Sequence, residues 1–531
     1  MTRWPRSVWI PILAMALVVF GWRIWSVPFT NWDEGIYANV NWELFQTHDW
    51  LHLTYFNQTF LEKPPLQFWL TYSMIGLFGP TEVAMRWWSV VAGVATVFVL
   101  GRWAWQASRN RWLVWLVSGM FIFGRFGVYH AFRTGDLDGL LTLCITGALY
   151  SYWRSDQRPR WWLGWGIGAG LAIMTKSFAG LIPLIVVGLD VVAGWRWKQL
   201  AWRQLGWGLA ALVLIAAPWH IAETVRFGQA FWHSYLNGQV LDRTTTSLFN
   251  TTPWWWYVDV LRSQFFPWSL FLPLALMISI RRWWHERSTL DRLMVVWLAA
   301  VLIIFSFIQT RREWYILALY PAAALMIGRM WFDLWSSKSR WWIHTLFWLG
   351  VGGVFYYVLL ELSQRGVLWK ITPYRFLPAD LWHHWLGRMV VAVVSAGLLW
   401  LIARWCRRFR LWPTWQWSIL LTTFMAGLLS VAWMTLFLRH LPTTLPLKTL
   451  AAKAEQLHTE TLSVIGVNLK GQPAGYFYLL RLQDIRLIEQ PAGSSPVAPV
   501  VLTVADAKEA LVTRDGRVVL KQGPFVLLDL R

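Results

Sequence analysis

The stretch VVAGVATVFVL, residues 90–100, decides the fold class, because apolar runs of this kind recur along most of the chain. With its flanks it is long enough to cross a bilayer, which takes about 20 mostly apolar residues. Ile343–Leu360 is another such run. The chain of 531 residues is 56% hydrophobic and contains 46 tryptophans. These features predict an α-helical polytopic membrane protein rather than a set of soluble domains.

The first apolar run, Val8–Phe20, has two interpretations. It follows Arg3 and Arg6, as the core of a signal peptide would. No small-residue cleavage site comes after it, and Trp22 and Arg23 follow instead. We therefore interpret it as an uncleaved first span.

The net charge of +21 does not indicate nucleic-acid binding, because the basic residues stand in short clusters between apolar runs. Such clusters mark the cytoplasmic side of a membrane protein. They lie at Arg102–Arg111, Arg154–Arg160, Arg196–Arg203, Arg281–Arg292, Lys338–Arg340 and Arg404–Arg410. Cys144 and Cys406 are too few and too far apart to suggest a disulfide or metal framework.

Spans that cross in pairs between these clusters number about thirteen, with the N-terminus inside and the C-terminal tail outside. They lie near residues 7–27, 84–103, 113–130, 137–153, 161–176, 178–194, 205–219, 254–280, 293–310, 314–333, 341–360, 386–403 and 413–437. The remaining apolar stretch, Leu66–Phe78, is interpreted as a helix at the outer interface.

The composition changes near the C-terminus, where tryptophan disappears. Short apolar runs predict strands, and helical patterns stand between them. The strands fall within LSVIGVN, DIRLIE, VVLTV, RVVL and PFVLLDL, and the helices within Thr449–Leu457, Ala474–Leu482 and Ala505–Leu511. The chain thus divides into a transmembrane domain over residues 1–440 and a small outer α/β domain over residues 441–531.

Two adjacent acids, Asp33 and Glu34, open the first outer loop, which covers residues 28–83. Ile36, Val40 and Leu44 follow at spacings of four, which predicts one apolar face of an amphipathic helix. Asp33 would stand at the N-terminal end of that helix. It is either a helix cap, a role that Asp favours, or a functional acid.

The same loop contains FLEKPPLQFWL, in which Glu62 and Lys63 directly precede Pro64 and Pro65. The prolines force an extended approach and favour the first turn of a helix. Glu62 and Lys63 would therefore be held at the interface. The alternative is a surface ion pair at a helix start.

A third motif, HAFRTGDLDGLLTL, brings together His130, Arg133, Asp136 and Asp138 at the outer ends of two predicted spans. Ionisable residues at membrane depth are costly and usually functional. The alternative is a polar tight turn built on Gly135.

Three basic residues, Lys176, Arg311 and Arg312, fall on the predicted outer side, against the charge rule. Outward bases in a protein whose other bases face inward suggest an anionic ligand near the outer leaflet. The alternative is anchoring to lipid headgroups.

The order DEGIY, EKPPL, RTGDLD, TKS, FPWSL and RREWYILALYP resembles the GT-C superfamily of glycosyltransferases, and in particular bacterial lipid A aminoarabinose transferases and protein O-mannosyltransferases. The resemblance covers about residues 1–440. It implies that Asp33 is the catalytic base and that Asp138 matches a family aspartate. It also implies that Glu62 and Lys63 contact metal or phosphate, and that Arg311 and Arg312 match family bases.

One departure concerns the metal. Alignment on Phe231–Trp232 and Arg243 puts Gln239 where aminoarabinose transferases have a histidine, and His233 and His220 are offset. The sequence therefore leaves open whether a divalent metal ion at Glu62 is needed.

The resemblance implies an inverting enzyme of the inner membrane that moves a sugar from a polyprenyl phosphate to a hydroxyl or phosphate of a lipid, glycan or protein, on the periplasmic side. Asp33 would take the acceptor proton, and Glu34 would support it. Lys63, Arg133, Arg311 or Arg312 would stabilise the leaving phosphate.

Asp136, Lys176 and Arg243 are candidate supporting residues. A transporter or flippase for lipid-linked saccharides and a non-catalytic assembly scaffold are the alternatives. The sequence specifies neither the sugar nor the acceptor.

Overall fold

The computed structural model describes most of the chain up to residue 336 and the ordered elements of the tail. The described residues are 6–30, 32–241, 252–266, 268–336, 445–457, 461–465, 467, 473–480, 486–490, 500–504, 517–522 and 525–529. The predicted spans at 341–360, 386–403 and 413–437 lie outside them, as do Arg243 and Cys406.

Helices dominate the first 336 residues. They are α1 (Arg6–Gly21), α2 (Asp33–Thr47), α3 (Leu66–Phe78), α4 (Glu82–Ser108), α5 (Arg111–Ile122), α6 (Arg125–Tyr129), α7 (Asp138–Ser155), α8 (Trp161–Lys176), α9 (Ile182–Ala193), α10 (Trp202–Phe227), α11 (Gln229–Trp232), α12 (Trp256–Gln264), α13 (Leu272–Glu286), α14 (Thr289–Phe307) and α15 (Tyr320–Ser336). A two-stranded hairpin, β1 (Thr54–Tyr55) and β2 (Gln58–Thr59), stands between α2 and α3.

Five helical stretches within the described residues are long and apolar enough to cross a membrane, or six if one bent pair is counted. They are Glu82–Ser108, Trp161–Ala193, Trp202–Phe227, Thr289–Phe307 and Glu313–Asp333, with α12 and α13 as the bent pair. The chain is therefore a helical multi-pass membrane protein, as its composition predicts.

The stretch Trp161–Ala193, counted above by length and composition, is not one straight helix: α8 and α9 run in opposite directions, as the two predicted spans at 161–176 and 178–194 require. A 3-10 turn, Ser177–Leu181, reverses the chain, and Gly180 packs directly against the backbone of α8. Asp190 near the end of α9 accepts a hydrogen bond from Tyr152, whose ring contacts Trp162 at the start of α8. The C-terminal end of α9 thus lies close to the N-terminal end of α8.

Two predicted continuous spans are broken. The first, 113–130, is divided between α5 and α6, because Gly124 takes an extended conformation (φ −58°, ψ 125°) that leaves the helix. The second, 254–280, is divided between α12 and α13, which begins afresh with a proline in its first turn. Proline lacks the N–H that a continuing helix would need.

The outer-interface helix is confirmed as a helix with the predicted bounds, Leu66–Phe78. Its 13 residues extend about 20 Å at 1.5 Å per residue. That is short of the roughly 30 Å hydrocarbon core, so α3 does not count among the spans.

Helix α2 differs from the amphipathic helix that the sequence predicts. Val40 and Leu44 are buried, but so are the polar residues Asn39, Asn41 and Glu43 on its other sides. The reason is that other segments cover this helix: Asn39 donates to the Pro473 carbonyl in the tail, and Glu43 accepts a hydrogen bond from the Asn57 amide in the hairpin that follows α2.

The tail contains the predicted strands. They form a five-stranded sheet from β3 (Thr461–Ile465), β4 (Arg486–Gln490), β5 (Val500–Val504), β6 (Arg517–Gln522) and β7 (Phe525–Asp529), in the order β4-β3-β5-β7-β6. Strand β3 is parallel to both neighbours, and β7 is antiparallel to both of its own. Two helices, α16 (Leu445–Gln456) and α17 (Pro473–Leu480), accompany the sheet. The predicted helix at Ala505–Leu511 lies outside the described residues.

Candidate active site

Several sequence-predicted acids converge around Tyr37, a buried residue one turn along α2 from Asp33. The pKa of the Tyr37 hydroxyl is raised well above its ordinary value by burial, and then by the negative charges of Asp33, Asp136, Asp138 and Glu62. Four carboxylates from three separate segments therefore act on the same hydroxyl group. Sequence reasoning missed Tyr37, although it belongs to the quoted motif DEGIY.

Asp33 is the first residue of α2, and Trp32 is the residue that precedes the helix. No side chain caps this helix end. Within the part of the chain that the structure describes, no hydrogen bond or ion pair engages the Asp33 carboxylate, which is partly exposed. The capping interpretation of Asp33 therefore has no support here, and its carboxylate is open to a ligand.

Glu34 has a different environment from its neighbour. Its Oε1 accepts hydrogen bonds from Arg86 Nε (2.6 Å) and the Gly135 amide (3.0 Å). Its Oε2 accepts one from the Thr30 amide (2.9 Å). The side chains of Glu34 and Arg86 are 0% and 2% exposed. Both oxygens are thus used to join α2 to α4 and to the loop before α7.

Arg86 extends this network to the chain that leads into α2. Its Nη1 donates to the carbonyls of Ile24 (2.8 Å) and Val27 (2.6 Å), and its Nη2 donates to that of Pro28 (3.1 Å). Arg86 falls inside the predicted span 84–103, and an ionisable residue within a span usually has a function. That signal was available in the sequence and was missed.

Asp138 pairs with Lys176 across the helix ends of α7 and α8. Lys176 Nζ donates to Asp138 Oδ1 at 2.8 Å, and both side chains are largely buried. The ammonium also lies 5.2 Å from the centre of the Tyr315 ring, a cation–π contact. Two motifs that are separate in sequence, RTGDLD and TKS, are thereby joined.

Asp136 is buried in the turn before α7. Its Oδ2 accepts from the Thr134 hydroxyl (2.6 Å) and lies 3.0 Å from His130 Nε2. Its Oδ1 has no hydrogen-bond partner among the described residues. Burial raises the pKa of Asp136 to about 7, His130 opposes that rise, and the charges of Glu34 and Asp33 add to it.

Glu62 and Lys63 stand just before α3, and Pro65 precedes its first residue, as the double proline predicts. Lys63 Nζ lies 3.8 Å from Glu62 Oε2. The Lys63 side chain is 7% exposed, whereas that of Glu62 is 47% exposed. The ammonium is thus held inside the loop, beside the Glu62 carboxylate.

The three predicted phosphate-binding arginines have different surroundings. Arg133 Nη1 donates to the carbonyls of Val19 (2.6 Å) and Phe20 (3.2 Å), so it caps the end of α1. Arg311 bonds the carbonyls of Thr252 and Ser306.

Arg312 lies between two tryptophans. Its guanidinium carbon is 5.6 Å from the Trp32 ring centre and 5.5 Å from that of Trp314. Because Trp32 directly precedes Asp33, this contact brings Arg312 to the N-terminal end of α2.

The described residues do not form a metal site around Glu62. They contain no group of three or more His, Cys, Asp and Glu side chains that could hold a metal ion. His220 Nε2 lies 2.8 Å from the Tyr235 hydroxyl and its Nδ1 is 2.7 Å from the Ala216 carbonyl. The described residues thus offer no such ligand group for the metal ion that the sequence leaves open at Glu62.

Comparisons with known proteins find related sequences and a similar fold. Residues 62–221, which include Glu62, Lys63, Asp138 and Lys176, match the family model of dolichyl-phosphate-mannose-protein mannosyltransferases. An undecaprenyl phosphate-alpha-4-amino-4-deoxy-L-arabinose arabinosyl transferase of Enterobacter sp. is 25% identical in an alignment of 507 positions that covers 91% of this chain and 85% of that protein. The enzyme of the same name from Pseudomonas aeruginosa (strain LESB58) is 29% identical over 340 residues, 59% of this chain and 58% of that protein, so less than two thirds of its length is matched.

Among solved structures, ArnT from Cupriavidus metallidurans bound to undecaprenyl phosphate superposes with a TM-score of 0.76 at 19% identity, over 99% of each chain. This likeness shows a shared fold. The chain is a membrane glycosyltransferase. It is similar to the aminoarabinose transferases and to the protein mannosyltransferases. The transporter and scaffold alternatives have no comparable support.

Proposed function

We propose that this glycosyltransferase moves a sugar from a polyprenyl phosphate carrier to a hydroxyl or phosphate of a lipid, glycan or protein acceptor on the outer face of the inner membrane. The observation that carries the proposal is the open carboxylate of Asp33. It faces a buried cluster of acids and cations, whereas its neighbour Glu34 is fully bonded. The names of the relatives support an undecaprenyl phosphate donor.

The proposed reaction is a direct displacement. The acceptor oxygen attacks the anomeric carbon, its proton passes to Asp33, and the bond from that carbon to the carrier phosphate breaks with its electron pair on the phosphate oxygen. One displacement inverts the configuration at the sugar. The proton and the charge are both accounted for by groups at this site.

The leaving phosphate needs positive charge near it, because negative charge grows on it as the bond breaks. Lys63 and Arg312 are the proposed donors to that phosphate. Arg312 is pre-oriented between Trp32 and Trp314, so little side-chain freedom is lost when it binds. Arg311 and Arg133, which bond backbone carbonyls, are proposed to shape the site. Asp138 is proposed to orient Lys176 toward the substrate.

We predict that Lys63→Met raises the donor KM or abolishes turnover while the protein stays folded. A phosphate that loses a buried ammonium loses a charge-assisted hydrogen bond, worth roughly 1.5–3 kcal/mol or about 10- to 100-fold in affinity. Steady-state transfer from a radiolabelled polyprenyl phosphate sugar measures it. Lys198→Met, at an exposed lysine in the α9–α10 connection, is the matched control. Unchanged kinetics in Lys63→Met would remove Lys63 from the site.

The proposed topology has about thirteen spans, with a transmembrane domain over 1–440, an α/β domain over 441–531, the N-terminus inside and the active site and tail outside. It predicts that cysteines at the exposed positions Thr59 and Lys521 react with an impermeant reagent in intact cells, in a variant without Cys144 and Cys406. A cysteine at exposed Gln157 should react only after the cells are opened. The reverse pattern would overturn the orientation.

A further inference from the structure

The tail helix α17 packs directly on the first turn of α2, the helix that begins with Asp33. A methyl group added at Gly35 would lie 2.6 Å from the backbone nitrogen of Ala474, so only glycine allows this approach. Asn39 Nδ2 donates to the Pro473 carbonyl (2.7 Å) and to the Gly35 carbonyl (2.8 Å). These contacts are buried and involve the backbone of both helices.

The same tail helix also holds the segment that leads into α2. The Phe29 amide donates to the Tyr478 hydroxyl oxygen (3.0 Å), and that hydroxyl donates to Glu82 Oε1 (3.0 Å). Lys448 of α16 forms an ion pair with the same Glu82 carboxylate. The Phe29 ring packs edge-on against Phe477 and parallel to Tyr478.

The opposite side of this segment is held by Arg86 of the transmembrane helix α4 and by Glu34 of α2. Arg86 binds the carbonyls of residues 24, 27 and 28, and Glu34 binds the Thr30 amide. The guanidinium of Arg86 also lies over the Phe29 ring, 5.1 Å from its centre. The backbone that carries Asp33 is therefore fixed from two sides, one of which is the tail.

We infer that the C-terminal domain is a clamp that positions Asp33, with Tyr478 and Lys448 as its positioning residues. This rests on the proposed role of Asp33 as the base. A module that docks the acceptor would leave its contact face open. The faces of α17 and α16 are instead occupied by contacts with α2, Phe29 and Glu82. A misplacement of about 1 Å at a reacting group can cost on the order of 100-fold in rate, so such a clamp matters to catalysis.

The first test is Tyr478→Phe, which keeps the ring and removes the hydroxyl that joins Phe29 to Glu82. We expect kcat to fall about 10- to 100-fold with the donor KM unchanged, because the base is displaced and the phosphate contacts are not. In an Asp33→Asn background the same change should lower the residual rate no further, since coupled residues are not additive. Equal losses in both backgrounds would show a general structural role and overturn the clamp.

The second test is a matched pair on α16. Lys448→Met removes the ion pair to Glu82, whereas Lys453→Met removes a lysine whose ammonium donates to Gln456, on the same helix. We expect Lys448→Met to lower kcat several-fold and Lys453→Met to match the parent enzyme. Equal rates in the two variants would overturn the clamp. This test can be read even if Tyr478→Phe fails to fold. An active Asp33→Asn protein would contradict the proposed base, whereas an inactive one beside a fully active Tyr478→Phe would contradict only the clamp.

Discussion

Replacing Asp33 by Asn is expected to slow sugar transfer by about 10²- to 10⁴-fold while leaving the protein folded, because general-base assistance is typically worth that much. The loss corresponds to roughly 3–5 kcal/mol of barrier at about 1.36 kcal/mol per tenfold. Asn has nearly the same size and is as good a helix cap as Asp. Since the Asp33 carboxylate has no hydrogen bond or ion pair among the described residues, its removal should cost little stability.

The measurement is single-turnover transfer from a radiolabelled polyprenyl phosphate sugar, with elution profile and melting temperature as folding controls. A folded Asp33→Asn protein that transfers sugar at near the parent rate would contradict the base assignment. The base would then have to be Asp136 or Asp138, two of the three other acids around Tyr37.

Replacing the neighbouring Glu34 by Gln is expected to give the opposite signature, a large loss of stability. The change leaves Arg86 charged and buried without its carboxylate, and breaking a buried ion pair on one side typically costs about 3–5 kcal/mol. Activity should fall mainly because less folded protein is present, so the rate per folded molecule should fall less than in Asp33→Asn.

Thermal unfolding in detergent measures this effect. Glu286→Gln is the stability control, because Glu286 is exposed at the end of α13 and substitutions at such surface positions usually change stability by about 0.5 kcal/mol or less. A Glu34→Gln protein as stable as its parent would show that the pair with Arg86 does not hold α2 in place.

The sequence predicts the helical layout well wherever apolar runs and basic clusters alternate. Leu66–Phe78 is a helix with the predicted bounds, and each of the five tail strands overlaps a predicted run. The order of motifs also identifies Asp33, Glu62, Asp136 and Asp138, which the structure brings around Tyr37.

The rest depends on contacts between distant segments, which a single sequence does not reveal. Glu34 and Asp33 are adjacent acids. Only the position of Arg86 shows that the Glu34 carboxylate is bonded within the structure and that the Asp33 carboxylate is open. The polar side of α2 is indistinguishable in sequence from a solvated face until α17 covers it. The breaks in the spans at 113–130 and 254–280 involve Gly124 and the proline at the start of α13, which hydropathy alone does not register.

The contact between α2 and the tail also has a consequence for the order in which the protein is made. Asn39 and Pro473 are 434 positions apart, and Phe29 and Tyr478 are 449 apart. A ribosome at about 5–20 residues per second therefore finishes the tail helix roughly half a minute or more after the catalytic helix. During that interval the spans can insert, but the base is not yet held from its second side. Nascent and prematurely terminated chains would thus occupy the membrane without transferring sugar at the full rate.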